Sequence, residues 1–454
     1  MSVAKLPPGT ARCPGPSMQD IIATDGDNAP AALREQRYAF LGDGDLGYDR
    51  VTSQAFYDAE VERVWPRVWQ WACREEHILN PGDSWVYDVG PYSVLVLRGS
   101  DASIRAFVNS CPHRGMQLVA SGSAPRAKQF VRCPFHGMSW ELDGELRDIP
   151  CGWDFPHVDA ANFGLDPVRC EVWGGFVFIN LDPNAEPLAD YLGVLPEHFK
   201  DWDLGQRFVA QHTRKVLPAN WKTAVEGFLE AYHILATHSQ AVHTAGDANA
   251  QYDIFDRHVN RFVHAVGYPS PHLKKRPTEA ELFAALGRDP DSLPAGASAR
   301  AEHAARLRSE LGAAYGTDLS QVSTTELLDS IEYFVFPNAC FFPGVSIPLI
   351  YRFTPIDVDH CYHEILLLQP LPDSGERPAP APIIDLDVDD SYQTIPDFPL
   401  GFVLDQDTEN FKRQRAGIKA SRKGAQTLGN YQEARIRHLH QTLDSYLAAE
   451  SDRA

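Results

Sequence analysis

The chain has 454 residues, of which 44% are apolar and 22% are charged, and this globular composition excludes a disordered or fibrous protein. The formal net charge of −20 at pH 7 argues against nucleic acid or an anionic membrane surface as a main partner. The sequence has no run of 18 apolar residues that would predict a membrane span, and its eight scattered cysteines favour a reducing cytoplasm over a disulfide framework.

The order of predicted elements divides the chain into three parts. Residues 1–60 are rich in Pro, Gly and Ala and then helical in pattern, which predicts an N-terminal arm and helical region. Residues 61–184 contain short alternating segments between turn signals, such as "GGFVFINLD", and predict a small antiparallel β domain. Residues 185–454 mix strand-like "RFVAQHTRKVL" with amphipathic helices, and predict an α+β domain with helices over an antiparallel sheet.

Two similar loops in the β region carry candidate metal ligands. "CPHRG" contains Cys111 and His113, and "CPFHG" contains Cys133 and His136. A [2Fe–2S] cluster needs four protein ligands, and two histidines in place of two cysteines raise its reduction potential. A structural Cys2His2 zinc site has the same ligand inventory and remains the alternative, although zinc fingers usually pair cysteine with cysteine and histidine with histidine.

The stretch "FLEAYHILATH" predicts a second metal site. His233 and His238 stand five residues apart, and Glu230 precedes the first of them by three. Five residues of ideal helix rotate by roughly 140°, so we expect the helix to end or distort between Ile234 and Thr237. Two histidines and one carboxylate are the common ligand set of a ferrous iron that activates oxygen. The alternative is an amphipathic helix with two ordinary histidines.

The carboxylate ligand is predicted to lie in "LDQDTENFKRQRAGI", and Asp407 is the first choice. Asp405 and Glu409 are its rivals. Asp407 is preferred because a short aspartate at the start of a helix is a common ligand posture.

The two loops, the following "GMSWELDGELRDIP" and the two histidines resemble the Rieske non-heme iron oxygenases, specifically the large α subunit of aromatic-ring-hydroxylating dioxygenases. The resemblance extends from about residue 48 to the end of the chain. It implies a small all-β Rieske domain followed by a helix-grip-like catalytic domain, with one [2Fe–2S] cluster and one mononuclear Fe(II) per chain. It also implies a homotrimer or an α3β3 assembly in which Glu230 bridges a Rieske histidine of one subunit to His233 of the next.

The expected activity is hydroxylation, with dihydroxylation favoured, of a hydrophobic and aromatic substrate by O2. Electrons would come from NAD(P)H through a separate reductase and a ferredoxin, since the chain shows no G-x-G-x-x-G fingerprint. The glutamate at position 230 also resembles members that attack N-methyl or quaternary ammonium substrates. The alternative is a Rieske monooxygenase or demethylase that acts on N-methyl, O-methyl or quaternary ammonium groups. A Rieske-type electron-transfer protein and a zinc-stapled binding protein are the non-enzymatic alternatives.

Overall fold

The computed structural model describes residues 6–122, 129–372 and 376–449. The chain forms two compact units, one made of Met1–Tyr57 with Leu192–Ala449, and the other beginning at Asp58 and including residues up to Tyr191. The division by sequence into residues 1–60, 61–184 and 185–454 remains a prediction about domains.

The N-terminal residues contain short elements rather than one long helix. Ser17 caps the first helix by accepting a hydrogen bond from the backbone N–H of Asp20. The elements in chain order are α1 (Met18–Asp25), α2 (Ala31–Arg34), β1 (Leu46–Gly47), α3 (Asp49–Thr52) and α4 (Gln54–Arg63).

The unit of residues 58–191 is built from short strands. Its six-stranded sheet has the order β2-β10-β9-β5-β4-β3, and a separate three-stranded sheet has the order β6-β7-β8, with all pairs antiparallel. The elements are β2 (Gln70–Arg74), β3 (Ser84–Val89), β4 (Tyr92–Arg98), β5 (Ile104–Val108), β6 (Val131–Arg132), β7 (Ser139–Trp140), β8 (Leu146–Asp148), β9 (Pro167–Trp173), β10 (Phe176–Asn180) and α5 (Leu188–Tyr191). The predicted small β domain is confirmed by this architecture.

The larger unit contains an eight-stranded sheet of order β12-β13-β14-β15-β16-β17-β11-β18. Its pairs are antiparallel except β11 with β18, which are parallel. The strands are β11 (Arg207–Leu217), β12 (Ala245–Ile254), β13 (Val259–Val266), β14 (Ser330–Val335), β15 (Ala339–Phe341), β16 (Leu349–Pro355), β17 (Cys361–Pro370) and β18 (Ile383–Leu386), while β19 (Ala425–Gln426) pairs with β1.

Helices accompany this sheet, and the predicted α+β class is confirmed. They are α6 (Leu195–His198), α7 (Trp221–Glu226), α8 (Ile234–Thr237), α9 (Glu279–Ala285), α10 (Ala299–Tyr315), α11 (Thr324–Leu328), α12 (Gly401–Ala420) and α13 (Ala434–Ala448). Within the described ranges, none of the helices is long and apolar enough to cross a membrane.

Two buried histidines should make the stability of the larger unit depend on pH. His363 stacks on Phe353 with ring centroids 4.5 Å apart, and His438 accepts from the Asn260 amide at Nδ1 while its Nε2 donates to the Asp256 carbonyl. Burial lowers the pKa of His363 to about 3 and that of His438 to about 4, because the charged imidazole is poorly solvated there.

We expect the protein to lose stability as the pH falls below 6.5. In the unfolded chain these histidines take up a proton near pH 6.5, whereas in the folded chain they do so only near pH 3 to 4. The unfolded state therefore binds more protons in between, and each histidine should lower the free energy of unfolding by about 1.4 kcal/mol per pH unit. Urea unfolding at pH 7, 6 and 5 measures this slope, and His438→Gln should make it shallower by one proton. An unchanged slope in that variant would contradict the assignment.

Candidate metal centres

The segment that carries Glu230 and His233 is a turn between two short helices. Asn220 begins α7 by accepting from the Lys222 backbone N–H at 3.1 Å, and α7 ends at Glu226. The helix α8 then spans only Ile234–Thr237. The prediction that residues 228–233 are helical is therefore wrong, because the chain forms a turn there.

His238 lies just beyond the end of α8. Its backbone has φ −113° and ψ 51°, which is outside the helical region, while its N–H still donates to the Ile234 carbonyl. The expected break of the helix before His238 occurs at Thr237, and the departure from helical geometry lets both imidazoles reach the same point.

His233, His238 and Asp407 come together in the larger unit. One potential ligand atom from each residue lies within 4.8 Å of the others. The Asp407 carboxylate oxygen Oδ1 is 2.8 Å from His238 Nε2 and 3.5 Å from His233 Nε2. The two imidazole rings are inclined at 71° with centroids 5.1 Å apart, so the rings meet edge to face and do not stack. Among the described residues, this is the group of three with metal-ligand spacing.

Glu230 fixes the orientation of His233. Its Oε1 lies 2.9 Å from His233 Nδ1, and its Oε2 accepts from the His233 backbone N–H at 2.8 Å. Burial lowers the pKa of His233, but the hydrogen bond and the charge of Glu230 outweigh burial, so this pKa is raised. Because Nδ1 faces Glu230, Nε2 is left to face Asp407.

The long helix α12 supplies the carboxylate. Asp407 is 7% exposed and stands in the second turn of a helix that begins at Gly401, so the expectation that an acidic residue opens the helix is wrong. Asp405 instead accepts from the backbone N–H of Tyr392 and from the Gln393 amide. Glu409 is exposed and lies 3.9 Å from Arg413. The geometry therefore separates Asp407 from both rivals.

Replacing Asp407 with alanine is expected to abolish iron binding at this site, whereas Asp405→Ala should retain it. The reason is that the carboxylate of Asp407, unlike that of Asp405, lies next to the Nε2 atoms of both His233 and His238. Counting iron per chain by elemental analysis tests this, since the parent should hold three irons and Asp407→Ala two. Loss of iron in Asp405→Ala with retention in Asp407→Ala would reverse the assignment.

A cavity of about 200 Å³ adjoins this group and is acidic. His233 and Asp407 contribute to its wall together with three glutamates, and the described lining residues include no lysine or arginine. Glu226 is held by His440 Nε2 at 2.6 Å. Burial, followed by the charges of Glu230 and Glu226, raises the pKa of Glu433. The glutamates are Glu226, Glu230 and Glu433.

The two Cys/His loops of the smaller unit have matching backbones. The Cys111 N–H donates to the Met116 carbonyl and the Cys133 N–H to the Met138 carbonyl, both at 2.8 Å. Each loop then closes on a glycine, Gly115 with φ 73° and Gly137 with φ 83°, in a conformation that favours glycine. The repetition in sequence therefore corresponds to a repeated local structure.

The side chains of these loops form one buried pair and one outer pair. Cys111 and Cys133 are each 2% exposed and belong to the same apolar cluster as Trp140. His113 and His136 lie with ring centroids 4.9 Å apart, His113 partly buried and His136 exposed. This donor set of two buried thiols and two more exposed imidazoles fits the ligands that would hold a [2Fe–2S] cluster, which would supply one-electron transfer.

Sequence reasoning missed the residues that hold residues 228–238, the metal-bearing turn, in place. Gln406 lies 2.9 Å from His238 Nδ1, the Tyr252 hydroxyl accepts from the Ala231 N–H at 3.0 Å, and Arg435 donates to the Leu229 carbonyl at 3.2 Å. Each partner is distant in the chain, so no local spacing reveals the contact. The position of Gln406 next to the predicted ligand Asp407 is the one available signal.

Comparison with known proteins gives relatives of more than one activity. The chain is 36% identical over 195 residues to the carnitine monooxygenase oxygenase subunit of Escherichia coli (strain K12), covering 41% of this chain and 50% of that protein. It is also 36% identical over 188 residues to the benzene 1,2-dioxygenase subunit alpha of Pseudomonas putida, covering 40% and 41%. The matches thus span half or less of the length of these curated relatives.

Solved structures show the same fold. A quaternary ammonium Rieske monooxygenase matches with a TM-score of 0.64 at 17% identity, over 89% of this chain and 96% of that chain. A naphthalene 1,2-dioxygenase variant bound to phenanthrene matches with a TM-score of 0.63 at 19% identity, over 90% and 94%.

Family models cover both units. The Rieske [2Fe-2S] domain matches residues 68–158. The catalytic domain of the ring hydroxylating alpha subunit matches residues 199–449, which is more than half of the chain. The chain therefore belongs to the ring hydroxylating alpha subunit family and carries the Rieske domain together with the catalytic domain of the Rieske oxygenases.

Proposed function

We propose that this chain is the terminal oxygenase of a multicomponent system, and that it hydroxylates a small organic substrate with O2 and two electrons. The observation that carries the proposal is the convergence of His233, His238 and Asp407 on one point, which is the two-histidine, one-carboxylate set of oxygen-activating iron. In the dihydroxylation, O2, two electrons and two protons combine with the substrate to give a diol.

The two Cys/His loops and the group of His233, His238 and Asp407 would hold the proposed cofactors. Cys111, His113, Cys133 and His136 would bind the [2Fe–2S] cluster. When bound, the cluster supplies one-electron transfer and the mononuclear iron supplies a site for dioxygen. The protein contributes the orientation of its ligands, since Glu230 holds the Nδ1 proton of His233 and leaves Nε2 for the metal.

The proposed partners follow from the family and from the acidic composition. A reductase, with a ferredoxin, would deliver electrons from NAD(P)H in the cytoplasm, where the cysteines other than Cys111 and Cys133 would remain reduced. Glu230 would bridge a Rieske histidine of a neighbouring subunit to His233 in a homotrimer or an α3β3 assembly. Its place in the wall of the acidic cavity supports this role.

The proposed substrate is hydrophobic and aromatic, and two observations favour a cationic one as the second candidate. Five apolar side chains in or next to strands β14, β15 and β16 are at most 5% exposed and serve as sheet core: Phe334, Phe336, Phe341, Phe342 and Ile350. The acidic cavity beside His233 and Asp407 would attract an N-methyl or quaternary ammonium group. Relatives that act on carnitine and on glycine betaine stand beside benzene dioxygenase among the matches.

Single-turnover chemistry under 18O2 distinguishes these candidates. The iron-loaded protein is reduced with dithionite and mixed with benzene, naphthalene, carnitine or glycine betaine. A diol with two labelled oxygens supports aromatic dihydroxylation, and a singly labelled product with loss of an amine or a methyl group supports the second candidate. Iron-replete protein that leaves every compound unlabelled while consuming no O2 would overturn the oxygenase proposal in favour of electron transfer.

A further inference from the structure

The two histidines of the proposed iron site have chemically different partners behind them. His233 turns its Nδ1 towards the carboxylate of Glu230 at 2.9 Å. His238 turns its Nδ1 towards the side-chain oxygen of Gln406 at 2.9 Å. One imidazole is therefore backed by a negative charge and the other by a neutral amide.

Gln406 is itself held by a second amide. The Gln240 Nε2 donates to Gln406 Oε1 at 2.7 Å, and the Gln406 Nε2 donates back to Gln240 Oε1 at 3.3 Å. In this arrangement the oxygen end of the Gln406 amide faces His238. The oxygen then accepts from both His238 and Gln240, which uses its two lone pairs.

The amide oxygen determines which nitrogen of His238 can bind a metal. A carbonyl oxygen accepts but cannot donate, so the proton of the neutral imidazole must reside on Nδ1. The lone pair is then on Nε2, which is the nitrogen that lies 2.8 Å from Asp407. His238 lies just outside the helix α8, and Gln406 contacts its ring at the nitrogen opposite to Nε2.

The helix α12 combines a ligand and its support in consecutive residues. Asp407 faces the two Nε2 atoms, while Gln406 reaches behind His238. One turn later, the Asn410 amide donates to the Thr237 hydroxyl at 2.9 Å. Gln406 and Asn410, which precede and follow Asp407 on α12, therefore both contact the end of α8.

We propose that Gln406 is a positioning residue for iron binding, which fixes the tautomer and the ring orientation of His238 through a neutral hydrogen bond supported by Gln240. The inference rests on the proposed iron site. A neutral partner here also limits the negative charge around the metal, because Glu230 and Asp407 already supply two carboxylates.

Two substitutions separate the hydrogen bond from the charge. Gln406→Leu removes the acceptor, and Gln406→Glu keeps an acceptor while adding a carboxylate. Fe(II) affinity is measured anaerobically by competition with a chelator on the full-length protein that retains its cluster. We expect Gln406→Leu to bind Fe(II) about 10- to 100-fold more weakly than the parent, as loss of an outer partner of a metal-bound histidine typically does. Gln406→Glu should bind within about threefold of the parent.

Gln393→Leu is the matched control. Gln393 contacts Asp405 on the same helix at 3.0 Å but neither histidine, so its removal should leave Fe(II) affinity unchanged. Nitrogen-15 NMR of histidine-labelled, zinc-substituted protein provides a second measurement. The parent should show His238 protonated at Nδ1, with slowed exchange of that proton that Gln406→Leu abolishes.

His238→Ala distinguishes failure of this inference from failure of the iron site. If His238→Ala loses iron while Gln406→Leu binds it as tightly as the parent, the role of Gln406 is refuted and the site stands. If His238→Ala binds Fe(II) as tightly as the parent, the iron site itself is refuted and the inference falls with it. Thermal unfolding of each variant shows whether a loss of affinity reflects loss of the fold.

Discussion

Glu230→Ala is expected to reduce turnover by about 100-fold or more while both metal centres remain loaded at saturating Fe(II). The three proposed iron ligands stay in place, because Glu230 contacts His233 from the side opposite to Asp407. The substitution removes the acceptor of the His233 Nδ1 proton and also the proposed bridge to a neighbouring subunit. Iron binding should weaken through the first effect, and electron transfer should stop through the second.

The two effects are measured separately. Iron content and the absorption of the reduced and oxidised cluster report loading, and stopped-flow oxidation of the reduced cluster in the presence of O2 and a turned-over substrate reports electron transfer. Glu409→Ala is the control, since Glu409 is an exposed carboxylate on α12 without a contact to either histidine. Normal turnover by iron-loaded Glu230→Ala would exclude the bridging role.

The sequence was most informative where chemistry and local spacing coincide. The Cys/His loops show their repetition in five residues each, and the repeated hydrogen bonds at Cys111 and Cys133 follow from the same local pattern. Strand β11 occupies the whole of "RFVAQHTRKVL", and α10 (Ala299–Tyr315) lies in the region where amphipathic helices were predicted. Short-range periodicity is sufficient for such elements because their boundaries are set by nearby residues.

Local patterns were least informative around the proposed iron. Residues 228–233 have helical composition, yet the chain turns there because long-range contacts hold it, from Tyr252 at Ala231 and from Arg435 at Leu229. Tertiary hydrogen bonds of this kind override helix propensity. The choice of Asp407 over Asp405 likewise depends on which side of α12 faces the histidines, and the Asp405 partners Tyr392 and Gln393 lie more than ten residues away. The conformation of the metal-bearing turn thus depends on hydrogen bonds between residues that are distant in the sequence.

Arg435→Met is expected to destabilise the larger unit by about 3–5 kcal/mol, because it leaves a buried carboxylate without its counter-charge. Arg435 is fully buried, and its Nη2 donates to Glu332 Oε1 at 2.7 Å. Burial already raises the pKa of Glu332, which shows how poorly this site solvates a lone charge. The same arginine also holds the Leu229 carbonyl beside Glu230, so the variant should loosen the metal-bearing turn as well.

A matched set of variants separates the lost charge pair from the lost arginine. Glu332→Gln combined with Arg435→Met removes both charges and should regain part of the stability, since an uncharged pair leaves no carboxylate to desolvate. Arg413→Met, at a side chain that is 79% exposed, should change stability by less than about 0.5 kcal/mol. Urea unfolding followed by fluorescence gives the midpoints, and Fe(II) competition gives the effect on the turn. If Arg435→Met unfolds at the parental midpoint, the Arg435–Glu332 pair does not stabilise the fold, and the turn must depend on Tyr252 and the adjoining helices instead.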